Sequence, residues 1–129
     1  MTEGRPASLS LVPYDDGDAS DFCNAVDLAN RMYRFRRKRD GAFLGGLFAD
    51  PAWDMLLDLL ISERKGQSPS VSSLCVAGAV PATTALRWIA TLEELGLIVR
   101  TPKPNDARSS QLRLSVRARH DLIALLNQF

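Results

Sequence analysis

Two cysteines, one histidine and no long apolar run set the first limits on this 129-residue sequence. Cys23 and Cys75 stand far apart and cannot form the spaced framework of a small disulfide-stapled domain, nor a CxxC pair. His120 is the only histidine, with no nucleophile or metal-ligand spacing around it. A surface or interface role is the reading for it. No glycine-rich loop is present to cradle a phosphate. Nucleophilic, metal-dependent and nucleotide-dependent catalysis therefore have no supporting constellation; the chain reads as a non-enzyme, with no cofactor and no metal. No apolar stretch approaches membrane-spanning length, and the N-terminus lacks a basic-then-apolar leader pattern. The expectation is a cytoplasmic, reducing environment without membrane contact. Charge of one sign is missing too: sixteen Lys and Arg stand against fifteen Asp and Glu, a formal net charge of +1.

That near-neutral total conceals a polar distribution. Residues 1–21 carry one cation, Arg5, against Glu3, Asp15, Asp16, Asp18 and Asp21. Residues 81–119 carry seven cations against three anions. An acidic front and a basic C-terminal half result. With Gly4, Pro6, Pro13 and Gly17, residues 1–19 are expected to be a flexible acidic arm, solubilising or with a partner of its own. Residues 20–129 are long enough for one domain around one core.

Ser20 or Asp21 can cap a helix over about 21–39. Its apolar residues form two stripes, Phe22, Val26, Ala29 and Tyr33 on one, Ala25, Leu28, Met32 and Phe35 on the other, which implies burial on two sides. The basic run Arg34, Arg36, Arg37, Lys38 and Arg39 suits the negative end of a helix dipole or, alternatively, DNA phosphates. Gly41 should end the helix, and the apolar connector 42–48 should tuck into the core. Asp50-Pro51 reads as a capping carboxylate followed by proline at the first helical position. The helix to about Arg64 places Trp53, Leu56, Leu57, Leu60 and Ile61 inward, with Asp54, Asp58 and Glu63 mostly on the other face.

The stretch 70–115 organises the chain. Ser70 caps a short helix over Val71–Ala77 with Val71, Leu74 and Cys75 inward, and Gly78 closes it as a residue tolerant of positive φ. Cys75 reads as packing; Cys23 is the better redox-sensing candidate. Pro81 opens a second helix to about Leu95, with Ala85, Trp88 or Ile89, and Leu92 toward the core and Thr83, Thr84, Arg87 and Thr91 outward. Glu93-Glu94 reads as solvated, and Gly96 stops the helix. Two strands, Leu97–Thr101 and Gln111–Leu114, flank an irregular basic loop with Pro102, Pro104, Asn105 and Asp106. Ser115 caps a last helix, 116–127, expected to lie beside the first.

Helix, turn, helix and hairpin in that order make a DNA-reading arrangement. The candidate contacts are Ser70, Ala82, Thr83, Thr84 and Arg87 from the helices and Lys103, Asn105, Asp106 and Arg108 from the loop. Threonine hydroxyls can meet phosphates, their methyls a thymine methyl, and arginine a guanine edge. An arginine in a narrow minor groove meets concentrated negative potential, and Asp106 can hold the Arg108 guanidinium. The competing reading makes the threonines helix caps, Arg87 solvated and the loop a plain turn.

Residues from about Ala49 to Ser115 resemble the winged helix-turn-helix of MarR-type transcriptional regulators. The resemblance rests on Ser70-Val-Ser-Ser-Leu74, Ala82-Thr-Thr-Ala-Leu-Arg87, Leu92-Glu-Glu-Leu-Gly-Leu-Ile-Val-Arg100 and, most specifically, Pro104-Asn-Asp-Ala-Arg108 followed by Leu112-Arg-Leu-Ser115. It implies a mainly α fold with a small β-hairpin wing. Residues 20–48 and 116–129 would supply dimerisation helices and 49–115 the DNA-binding core. It further implies a homodimer on double-stranded DNA, Thr83, Thr84 and Arg87 toward the major groove, and Arg108, held by Asp106, in the minor groove. The family usually has a hydroxyl residue before the matched arginine; this chain has Leu86. The family's C-terminal helices are longer than 116–127, and the double-striped helix would compensate. Family members often bind small aromatic acids, but no charged pocket signature for such an effector is legible here. A winged helix serving as a protein-interaction module is the alternative, favoured by the neutral total charge, the acidic arm and Leu86.

Overall fold

A computed structural model describes residues 19–103 and 106–129, the side chains of 103–109 aside. The expected arm therefore lies outside the described residues except for Ala19, as do Asn105 and the side chains of Lys103, Asp106 and Arg108. Five helices and one antiparallel hairpin follow in the order α1 (Ala19–Ala42), α2 (Pro51–Arg64), α3 (Val71–Ala77), α4 (Ala82–Glu94), β1 (Ile98–Lys103), β2 (Asp106–Leu114) and α5 (Val116–Leu126).

Helix α1 runs through Gly41 instead of stopping at it. Its last turn is held from outside: the Arg39 guanidinium lies 4.7 Å from the centre of the Phe48 ring and donates to the Phe48 carbonyl at 2.9 Å. Ala25, Val26 and Ala29 are buried, and Phe22, Leu28, Met32 and Tyr33 are half-buried against the core. The connector that follows does not enter the core as expected. Phe43 and Leu44 are 61% and 77% exposed, and Leu47 and Phe48 are exposed as well. Backbone bonds from Leu47 to Leu44 and from Ala49 to Gly46 close a surface turn, and Phe43 and Phe48 pack edge to face at 5.7 Å while Leu44 and Leu47 stay exposed.

Pro51 begins α2 as expected, but the Asp50 side chain makes no capping bond. The helix sits at the centre, in contact with α1, α3, α4 and β2. Burial nearly all round explains why Met55 and Leu59 are inside along with Leu57, Leu60 and Ile61. It also overturns the outward placement of Asp54, which is completely buried.

Ser70 Oγ accepts from the Ser73 amide at 3.1 Å and caps α3 as its position implies. Gly78 does not supply the positive φ expected of it. Its φ is −69°, and the left-handed residue is Ala79 at φ 57°. A Cβ on Gly78 would lie 2.7 Å from Met55 Cε, so a larger residue there would require the flexible end of the buried Met55 side chain to shift. Pro81 stands just before α4 rather than inside it; Ala85, Ile89 and Leu92 face the core, and Gly96 at φ 75° ends the run.

Both strands are longer than expected, and Pro102, Lys103 and Asp106 belong to them. Pairing runs from Ile98 opposite Leu114 to Pro102 opposite Ser110, then shifts so that Lys103 faces Asp106. A two-stranded sheet is all edge, so proline takes a place in it without removing a ladder bond from a second neighbour. Ile98, Leu112 and Leu114 point into the core, and the Leu112 amide donates to the Pro69 carbonyl at 2.8 Å, tying the hairpin to the start of α3.

Ser115 Oγ accepts from the Ala118 amide at 3.1 Å and caps α5. This helix packs beside α1, where Asn127 Nδ2 donates to the Asp21 carbonyl at 2.9 Å and the Arg119 guanidinium covers the Phe22 ring. Ala118, Leu122 and Leu126 anchor it. His120 is buried on the same helix, so of the surface or interface role expected for it the surface placement does not hold, because α5 presents more than one face to its neighbours.

Candidate nucleic-acid interface

Three core residues at helical spacing set the orientation of α4. With Ala85, Ile89 and Leu92 inside, Thr83, Leu86, Arg87 and Ala90 are left exposed on the outer side, while Thr84 and Thr91 are half-buried. Trp88, one of two alternatives for the inward position, stays partly exposed. Among the described residues the Thr83 and Thr84 hydroxyls and the Arg87 guanidinium make no hydrogen bond or ion pair. The threonines therefore do not cap the helix, and no described residue engages these three side chains. Thr91 is occupied differently, its Oγ1 donating to the Arg87 carbonyl at 3.0 Å. Ala82 is exposed at the first position of α4. Ser70 is committed to its cap and donates from Oγ to Ser73 Oγ at 3.2 Å.

The hairpin is fastened to the same helix. Arg100 on β1 donates through Nε and Nη2 to the two Glu93 carboxylate oxygens at 3.0 and 2.9 Å. Glu93 is thus not simply solvated, as expected; the Arg100 hydrogen bonds hold its carboxyl below the usual glutamate range. This two-pronged pair joins the last turn of α4 to the strand leading to the wing tip. The wing-tip set Lys103, Asn105, Asp106 and Arg108, with the expected Asp106–Arg108 pair, lies outside the described side chains.

The basic end of α1 is largely turned inward. Buried Asp54 accepts from Arg36 Nε, from Arg36 Nη2 at 3.3 Å and from Arg37 Nη2 at 2.8 Å. The Arg37 guanidinium lies 4.8 Å from the centre of the Tyr33 ring, and its Nη1 donates to the Ala77 carbonyl at 3.3 Å. Tyr33 Oη donates to the same carbonyl at 2.9 Å. Burial pushes the Tyr33 phenol above its ordinary range, against the pull of Arg37. These contacts satisfy the C-terminal carbonyl of α3 just before the turn, and they hold three helices together. The sequence signal was an aspartate three and seven residues before Leu57 and Ile61, on the apolar side of α2. Neither the helix dipole nor a phosphate accounts for Arg36 and Arg37. Arg34 and Lys38 remain exposed.

Trp53, expected in the core, is half-buried and lines apolar hollows between α1, α2 and α5. The larger one beside it, about 510 Å³, is walled by Trp53, Leu56, Leu97, Leu114, Leu122 and Leu125, with Arg117 and Asp121 on its lining. Those two charges come from α5, so the sequence alone did not gather them at a pocket. Cys75 is buried and its thiol pushed up by that burial, in keeping with packing; Cys23 is half-buried. Among the described residues no group of three or more His, Cys, Asp or Glu is placed to hold a metal ion, and no single helix is long and apolar enough to cross a membrane.

No family model matches the sequence, and no curated protein matches it significantly. Solved structures do. A MepR point mutant from S. aureus is 15% identical with a TM-score of 0.52, the match covering 76% of this chain and 69% of that one. A probable transcriptional regulator from Pseudomonas aeruginosa is 23% identical with a TM-score of 0.50, covering 78% and 71%. At these identities the likeness concerns the fold, and the architecture agrees: the chain has the winged helix-turn-helix fold of MarR-type transcriptional regulators, mainly α with a small β-hairpin wing.

Proposed function

We propose that this chain is a sequence-specific, double-stranded-DNA-binding transcriptional regulator that works as a homodimer. The observation that carries the reading is the front of α4, where Thr83 and Arg87 are exposed and Thr84 is half-buried, none of them bonded to another described side chain, followed at once by a hairpin fastened to that helix through Glu93 and Arg100. A major groove admits one helix, and residues at the helix's N-terminal end reach base edges. Residues 49–115 form the DNA-binding core. Thr83 and Thr84 serve phosphates or a thymine methyl, with Ala82 close to the backbone, and Arg87 takes a guanine edge or a phosphate. Ser70 meets phosphate only through what its cap leaves free. In this reading Lys103, Asn105 and Arg108 of the wing meet the neighbouring minor groove, with Asp106 the acceptor for Arg108, as the family resemblance implies.

Residues 20–48 and 116–129 pair the protomers. Support comes from the apolar groups that one copy leaves uncovered: Phe35 on α1, the turn Phe43–Phe48 and Phe129. Two recognition helices about 34–36 Å apart then read a near-palindromic site. A small-molecule effector has the apolar hollow beside Trp53 available, and nothing in the hollow's chemistry selects one.

Arg87→Ala is expected to weaken binding and relax base preference, and Arg108→Ala to weaken binding across sequences and reduce the salt slope by about 1. Fluorescence titration of a duplex selected from a random pool measures both; unchanged affinity in both variants refutes these roles. A second reading, a protein-interaction module, draws on the sparse charge of residues 70–92 and exposed Val76. It requires almost no affinity for random duplex DNA at low salt, which separates the two.

A further inference from the structure

From Ser70 to Leu92 the chain carries a single charged side chain, Arg87. The helix-turn-helix therefore offers a partner few ionic contacts and many methyl groups. On α4 the exposed residues Thr83, Leu86, Arg87 and Ala90 follow one another at steps of three, one and three, so they share one side of the helix. Leu86 is 48% exposed at one edge of that side, about 100° round the helix from Arg87. The core does not use it, since Ala85, Ile89 and Leu92 fill the inward positions.

A leucine against the major groove finds one complementary group there, the C5-methyl of thymine. Polar groups of other base edges placed against it, a cytosine amino group or a guanine carbonyl, lose water and gain no hydrogen bond. Attraction to one base and a penalty on the rest together make specificity. We infer that Leu86 is a specificity-determining residue that reads a thymine C5-methyl beside the contact made by Arg87. This rests on the DNA-binding reading above and adds a base identity to it.

The test uses the full chain and a duplex it selects from a random pool. Each thymine is replaced in turn by deoxyuridine, which deletes only the methyl group. One thymine per half-site should lose about fourfold in affinity, the value of one buried methyl, and about 15-fold when both half-sites are changed. Leu86→Ser should abolish that discrimination at the same position and leave other positions as they were; Leu86→Met should retain it. Because Leu86 is outside the core, circular dichroism should show both variants folded. If no thymine discriminates, or if the serine variant discriminates as the native chain does, Leu86 is not the reader although DNA binding stands. Absence of binding to any duplex at low salt overturns both this inference and the regulator reading.

Discussion

Deleting the Asp54 carboxylate should be the most damaging single change to the fold. The group is completely buried and holds two guanidinium groups, those of Arg36 and Arg37, whose side chains are 12% and 27% exposed. Removing one partner of a buried pair typically costs about 3–5 kcal/mol, because the other charge stays behind without compensation. The two arginines do not contribute equally. Arg37 keeps Asp40 at 3.1 Å and the Ala77 carbonyl, and it can turn toward water. Arg36 reaches Asp54 through both of its described bonds and has less access to solvent. The lower end, about 3 kcal/mol, is therefore expected for Asp54→Ala, with somewhat less for Asp54→Asn, which retains an acceptor. Against a total stability of roughly 5–15 kcal/mol this is a large share, and the midpoint of thermal unfolding should fall by about 10 °C. Urea unfolding followed by circular dichroism measures it. The loss should persist in high salt, since buried charges are poorly screened. Replacing the trio together, Asp54→Leu with Arg36→Met and Arg37→Met, should recover much of the loss. An Asp54→Asn chain within about 0.5 kcal/mol of the native one would refute the reasoning, and the three-helix joint would have to be held by apolar packing alone.

The turn before α4 supplies a pair of opposite expectations. Ala79→Gly should stabilise by about 0.5–1 kcal/mol, relief of the left-handed strain outweighing the freer unfolded chain; Gly78→Ala should cost about 1 kcal/mol, the low end for overpacking, since only the flexible end of Met55 has to shift. Calorimetry on the two variants decides both signs. A pH effect is expected at the α4–β1 joint. Arg100 lowers the folded-state Glu93 pKa, so the pair's contribution is fully present above the ordinary glutamate value of 4.5 and is lost as pH falls through the lower folded value. Both partners are partly exposed, which limits the effect to about 1 kcal/mol or less. Glu93→Gln should thus be slightly less stable than the native chain at neutral pH and equal to it in sufficiently strong acid; an equal deficit at both would contradict the pairing.

Local rules wrote much of this protein directly into its sequence. Serine before an apolar helical run placed the starts of α3 and α5, because a hydroxyl satisfies an amide that the helix leaves open. Gly96 ended α4 for want of another residue comfortable at positive φ. Ala85, Ile89 and Leu92 at helical spacing fixed the outward side of α4 and with it Thr83, Arg87 and Leu86. What depended on neighbours far along the chain was decided only by tertiary packing. Asp54 shares helical spacing with Leu57 and Ile61, but its charge argues for the surface; the arginines that make its burial tolerable come from α1, which local spacing does not reveal. Phe43, Leu44, Leu47 and Phe48 read as core, but no other element of this chain comes over the connector, and it stays exposed. A side chain at Gly78 would press on Met55, a contact no turn rule contains. Periodicity and capping are set within a few residues of backbone, so sequence determines them; whether a given face is covered depends on which other element arrives there, and only the folded chain answers that.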